Sequence, residues 1–134
     1  MSGVNSKAHS EQLKANILIV DDDQANILLF TKILEVNGYE NIISTFDPCE
    51  TIPLQQKHQF ALILLDINMP GMNGFEVLQQ LQDADECKDT QVIATSGNIE
   101  TSFIKEALEA GFNDYITKPM RMNEILEKVS GALH

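Results

Sequence analysis

Phe60-Ala61-Leu62-Ile63-Leu64-Leu65-Asp66 is an uninterrupted apolar run closed by a carboxylate, and its reading decides the fold. A run without polar alternation predicts a strand buried on both faces, which requires a parallel sheet with helices on either side. Four further short runs are mainly apolar: Ile17-Leu18-Ile19-Val20, Ile42-Ile43-Ser44-Thr45-Phe46, Val92-Ile93-Ala94-Thr95 and Tyr115-Ile116-Thr117. Helical signals fill the intervals. Asp23 can cap a helix running to about Asn37, with Ile27, Phe30, Ile33 and Leu34 along one side and Gly38 as its stop. Leu28 and Leu29 widen that stripe beyond one face. A second helix, within residues 48–58, must hold Pro53 near its start, where a missing N–H costs nothing. A third over 74–84 turns Phe75, Leu78 and Leu81 inward, and a fourth over 99–110 stops at Gly111. A fifth over 122–133 carries Met122, Ile125, Leu126, Val129 and Leu133 at helical spacing. The prediction is an α/β fold, a three-layer sandwich of five βα units around a five-stranded parallel sheet. It occupies residues 16–134, after a flexible tail over residues 1–15 that is poor in apolar side chains.

Composition narrows the function. A chain of 134 residues with 43% apolar content is one domain with a real core. Its formal charge of −11 argues against binding nucleic acid or an anionic membrane, so its partners are expected to be proteins. Cys49 and Cys87 have neither redox nor zinc-finger spacing and are read as incidental thiols of a reduced, cytoplasmic protein. No apolar stretch is long enough to span a bilayer, and the first residues lack the apolar segment of a signal peptide.

Four of the five runs lead directly into Asp21-Asp22-Asp23, Asp66, Ser96 and Lys118. In an open parallel sheet the ligand site lies outside the carboxyl ends of the strands, so these groups should share one pocket. Asp21, Asp22 and Asp66 would there repel one another and raise one another's proton affinity. A divalent cation removes the conflict. Magnesium, with manganese as a substitute, prefers one or two carboxylates, retained waters and a phosphate oxygen. Asp22 and Asp66 are the direct ligands on this reading, with Asp21 acting through a water; the alternative is a solvated helix-capping cluster, and Asp23 is read as a cap. Other phosphate and metal chemistries fail on spacing. The loop Asp66-Ile67-Asn68-Met69-Pro70-Gly71 has proline at the fifth position of a calcium loop and Val77 at its twelfth. Neither nucleotide-binding glycine motif occurs. An aspartyl phosphatase would want a second acid where Asn68 stands. His9, His58 and His134 belong to no constellation.

Four motifs in order, Ile17-Leu18-Ile19-Val20-Asp21-Asp22-Asp23, Leu62-Ile63-Leu64-Leu65-Asp66-Ile67-Asn68-Met69-Pro70-Gly71-Met72-Asn73-Gly74, Ala94-Thr95-Ser96-Gly97 and Asp114-Tyr115-Ile116-Thr117-Lys118-Pro119, resemble the response regulator receiver domains of two-component signalling over residues 16–133. The resemblance implies a flavodoxin-like strand order of 2-1-3-4-5. It also implies that the backbone carbonyl of Asn68 joins the magnesium shell. Asp66 would be the phosphoacceptor, with one oxygen on the metal and the other free to attack a phosphoryl group. Lys118 would balance the phosphoryl oxygens beside the metal, aimed inward by a cis bond to Pro119. Ser96 would donate a hydrogen bond to the phosphoryl group; Thr95, its competitor, should face the other side of the strand. Tyr115 resembles the family's switch aromatic, and a half-buried strand tyrosine is the competing reading.

Such a protein is a signalling phosphoacceptor of bacterial type that assists its own phosphorylation and dephosphorylation, and is not otherwise an enzyme. The expected partners are a sensor histidine kinase or a histidine phosphotransfer protein, together with a protein target of the surface made by the fourth helix, fifth strand and fifth helix. A monomer or weak phosphorylation-dependent dimer is expected. With no output domain after Leu133 and a short polar start, the favoured form is a stand-alone response regulator. The alternative is a relay receiver or one from a hybrid histidine kinase. Asn26, four after Asp22, resembles receivers of hybrid kinases more than chemotaxis-type ones, and the apolar Ile27-Leu28-Leu29-Phe30 and Pro119-Met120-Arg121-Met122 would suit docking of a helical partner, unless those side chains simply pack the core. A binding-only module of the same fold is the remote third reading.

Overall fold

A computed structural model describes residues 10–133 of the protein. Its strands are β1 (Asn16–Val20), β2 (Asn41–Thr45), β3 (Leu62–Asp66), β4 (Gln91–Ser96) and β5 (Asp114–Thr117). They form one five-stranded parallel sheet in the order β2-β1-β3-β4-β5. The connections are α1 (Gln24–Val36), a 3-10 turn (Pro48–Glu50) running into α2 (Thr51–His58), α3 (Gly74–Asp83) and α4 (Thr101–Ala110), with α5 (Met122–Ala132) closing the chain. The strand order is the one implied by the resemblance.

Side-chain alternation along each buried strand builds two cores. Leu18, Val20, Ile63, Leu65, Val92, Ala94 and Tyr115 face one layer, where they meet Val77, Leu78 and Leu81 of α3 and Ala107 of α4. Ile17, Ile19, Leu62, Leu64, Ile93 and Ile116 face the other, against Phe30 and Leu34 of α1 and Ile125 and Val129 of α5. All five residues of β3 are buried, as the uninterrupted run requires.

Local signals fix the helix ends. Asp23 caps α1 by accepting from the Ala25 N–H at 2.9 Å, and Gly38 follows it at φ +97°. Pro53 is the third residue of α2, within the turn whose N–H groups have no intrahelical partner. Asn73 and Glu76 close a reciprocal capping box on α3.

Several boundaries and faces differ from the sequence reading. α4 begins at Thr101 and not near Ile99, because Asn98 Oδ1 accepts from Glu100 N–H at 2.9 Å and shapes a turn that leaves Ile99 exposed. On α3 the buried side chains are Val77, Leu78 and Leu81, with Phe75 only half-buried. β2 ends at Thr45, and Phe46 is exposed. Met122 is exposed at the head of α5. On α1, Ile27 and Phe30 are buried, whereas Leu28 and Leu29 are 68% and 43% exposed, so core packing does not account for them. Of the segment read as a tail, residues 1–9 lie outside the described residues. Residues 10–13 form a helical turn, Leu13 packs against the α1 and α5 core, and its carbonyl accepts from Glu40 N–H at 3.1 Å.

Candidate functional site

The carboxyl ends of β1, β3 and β5 deliver Asp21, Asp22, Asp66 and Lys118 to one place. Carboxylate oxygens of Asp21, Asp22 and Asp66 all lie within 4.8 Å of one another. Asp21 and Asp66 are buried, and Asp22 is exposed at the mouth. Lys118 reaches in over the sheet edge, with Nζ 3.0 Å from Asp21 Oδ2 and 3.3 Å from Asp66 Oδ1. The bond from Lys118 to Pro119 is cis. Asp21 Oδ1 accepts from the Asp23 N–H at 2.9 Å. Asp66 Oδ1 also accepts from the Asn68 N–H at 3.1 Å, which leaves Oδ2 as the oxygen that neither donor engages.

One ammonium does not neutralise three carboxylates. Burial, and then the charge of Asp21, push Asp66 from an ordinary 3.8 up to about 7, against the opposing pull of Lys118 and of the Asn68 N–H. Without a further cation the pocket therefore holds Asp66 partly protonated at neutral pH. The donor set is oxygen only, which suits a hard divalent ion such as magnesium or manganese over a soft one. The crowded carboxylates and this raised proton affinity fit such an ion at Asp22 and Asp66.

Gly74 controls how closely α3 approaches this site. A Cβ built on it would lie 2.6 Å from the Asp66 carbonyl oxygen and 2.7 Å from Ile67 Cα, so only glycine lets the head of α3 pack onto the turn after Asp66. Gly74 N–H donates to the Ile67 carbonyl at 2.9 Å.

β4 ends beside β3, with Thr95 in register with Asp66 and Ser96 one residue further on. Alternation puts Ser96 on the face of Val92 and Ala94, and Thr95 on the opposite one. Ser96 is fully buried. Its Oγ accepts from Asn68 Nδ2 at 2.9 Å and from Asn98 N–H at 3.1 Å, and its carbonyl accepts from Lys118 N–H at 2.8 Å. The Asn98 carbonyl accepts from the Tyr115 hydroxyl at 2.8 Å. Tyr115 is 4% exposed and its ring meets Phe103 of α4 edge-on at 6.4 Å. A chain of contacts thus runs from Asn68 through Ser96 and Asn98 to Tyr115 and the head of α4.

Asp21, Asp22, Asp66, Asn68, Ser96, Tyr115 and Lys118 are all part of this assembly. The sequence reading missed Asn98, Gly74 and the side chain of Asn68. The Asn73-Gly74 pair carried a turn signal, but nothing in the sequence placed that glycine against Asp66. His58 lies at the far end of the sheet, its carbonyl accepting from Asn16 Nδ2 at the start of β1, while His9 and His134 are outside the described residues. Cys49 and Cys87 are free thiols.

Comparison with known proteins agrees with the fold. The family model for the response regulator receiver domain matches residues 17–130. The polar-differentiation response regulator DivK of Brucella anthropi is 32% identical over 118 residues, which cover 88% of this chain and 95% of that protein. The crystal structure of a CheY-like response regulator receiver domain protein from Methanospirillum hungatei JF-1 is 32% identical with a TM-score of 0.77, over 90% of this chain and 94% of that one. The chemotaxis response regulator CheY4 of Vibrio cholerae has a TM-score of 0.81 at 24% identity, over 89% and 98% of the two chains, a likeness of fold.

Proposed function

The chain belongs to the response regulator receiver family, and from that premise we propose that Asp66 is its phosphoacceptor, charged by a phosphohistidine on a partner protein. The observation that carries the reading is the convergence of Asp21, Asp22 and buried Asp66 on one pocket, with the Lys118 ammonium held against Asp21 and Asp66. Asp66 Oδ2 attacks phosphorus in line, a carboxyl oxygen to phosphorus bond forms, and the bond from phosphorus to the histidine nitrogen breaks with its electron pair left on the imidazole. Magnesium, or manganese, held by Asp22, Asp66 and the Asn68 carbonyl and through water by Asp21, would supply positive charge to the phosphoryl oxygens. Lys118 gives up part of its contact with Asp21 and Asp66 to a phosphoryl oxygen, so the site keeps one ammonium on whichever oxygens are most negative. Ser96 donates its hydroxyl to another phosphoryl oxygen.

The output follows from the contacts of Ser96. Drawing its hydroxyl toward a phosphoryl group pulls on Asn98, whose carbonyl holds the Tyr115 hydroxyl, and shifts the population of the surface made by α4, β5 and α5. This surface would engage a protein target in the cytoplasm, with neither nucleic acid nor membrane as partner. Among the described residues, no helix is long and apolar enough to cross a membrane. The preferred form is a stand-alone receiver, in keeping with the DivK relative, almost all of which this chain covers. Tyr115 serves as the switch aromatic, and the same pocket assists hydrolysis of the acyl phosphate. Exposed Leu28 and Leu29 on α1, the helix that starts beside Asp21 and Asp22, support a second reading in which a helical histidine phosphotransfer partner docks there in a relay.

Intact-mass spectrometry after incubation with acetyl phosphate and magnesium tests the reading. One labile phosphoryl adduct is expected on the native chain and none on Asp66→Asn. Equal labelling of both would assign the phosphoryl group elsewhere.

A further inference from the structure

A serine hydroxyl accepts two hydrogen bonds and donates one. At Ser96 both accepting positions are filled by protein donors, Asn68 Nδ2 at 2.9 Å and Asn98 N–H at 3.1 Å, and the side chain is fully buried, so bulk water does not compete for them. What remains is the hydroxyl hydrogen. Asn98 contributes through its backbone, which any residue could do, whereas Asn68 contributes through a side-chain amide that only certain residues carry. The same Asn68 donates its N–H to Asp66 Oδ1, so it holds the two groups that face the incoming phosphoryl group, one through its backbone and one through its amide.

We propose that the Asn68 side chain is a positioning residue that fixes the Ser96 hydroxyl as a hydrogen-bond donor before the phosphoryl group arrives. The inference rests on the reading of Asp66 as phosphoacceptor and deepens it. Without the amide, one accepting position on Ser96 Oγ is open and the hydroxyl can turn its hydrogen elsewhere; the phosphoryl group must then pay for its orientation. The backbone carbonyl of Asn68 is unaffected by a side-chain exchange, so metal supply and hydroxyl orientation separate in the experiment.

The test is a double-mutant cycle on Asn68→Leu, which keeps the branched shape and removes the donor, and Ser96→Ala, with Asn68→Ala as a second exchange should the leucine disturb folding. Thermal melting with and without magnesium shows whether each variant folds and keeps its metal response. The rate of Asp66 labelling by acetyl phosphate is then measured for all four chains by intact mass. Asn68→Leu should slow labelling about tenfold when Ser96 is present, the scale of one hydrogen bond, and less than about twofold when Ser96 is alanine. An equal effect in both backgrounds, or no effect in the native one, would overturn the positioning role while leaving Asp66 as phosphoacceptor. Absence of labelling on the native chain would overturn both.

Discussion

Replacing Asp66 by asparagine should make the metal-free protein more stable, although it removes the proposed phosphoacceptor. Asp66 is 2% exposed, and burial together with Asp21 raises it from 3.8 to about 7. At about 1.4 kcal/mol per tenfold change in proton affinity, an ionised Asp66 costs the folded state about 4 kcal/mol. Its couplings to Asp21 and Lys118 make that an upper figure. Asparagine keeps an oxygen for the Asn68 N–H and removes the charge. Lys118 keeps Asp21 at 3.0 Å as its partner. The sign with pH follows from linkage. A carboxyl group whose folded value lies above its unfolded one binds more protons in the native state, so the native chain loses stability as pH rises from about 4 to about 7. The advantage of Asp66→Asn should therefore be small near pH 4.5 and full by pH 8. Urea or thermal unfolding in EDTA across that range measures it, with an expected rise of about 5–15 °C in Tm at pH 8, taking about 2–4 kcal/mol over a chain of this size. Magnesium should then narrow the gap, because it stabilises only the chain that keeps the ligand. An Asp66→Asn protein that melts at or below the native one in EDTA at pH 8, or a gap that does not shrink on acidification, would refute the electrostatic account of the pocket.

Other perturbations separate the parts of the argument. Gly74→Ala forces a Cβ against the Asp66 carbonyl and Ile67 Cα, and should cost about 1–3 kcal/mol in urea unfolding while weakening the magnesium-dependent rise in Tm. Phe30→Ala, on the buried side of α1, should cost about 3–5 kcal/mol, whereas Leu28→Ala beside it should stay within about 0.5 kcal/mol and appear only in partner binding. Tyr115→Phe removes the hydroxyl from the Asn98 carbonyl and should lower stability by about 1 kcal/mol, with Asp66 labelling unchanged and target binding reduced. Leu13→Ala should lower stability by about 1 kcal/mol through loss of its contact with the α1 and α5 core.

Some of this was legible because it is local. An apolar run with no alternation has no wet face, so Leu62-Ile63-Leu64-Leu65 could belong only to a strand covered on both sides, and the groups that follow each strand had to gather at one edge. Asp23 as a cap, Gly38 and Gly111 as stops, and the place of Pro53 follow from backbone chemistry that depends on one or two residues. The start of α4 did not, because it rests on the turn Asn98 adopts when its own N–H donates to Ser96 Oγ and its carbonyl accepts from the Tyr115 hydroxyl.

The sequence by itself determined the order of elements, the sheet type and the identity of the residues at the strand ends, since period, capping and charge are properties of short stretches. Only the tertiary structure decided which of those residues touch. That Leu28 faces solvent while Phe30 is buried, that Gly74 lies against Asp66, and that the Asn68 amide is held on Ser96 depend on distances between segments far apart in the chain. Such distances are set by how helices of given length and side-chain volume settle on a twisted sheet, and no short stretch encodes that.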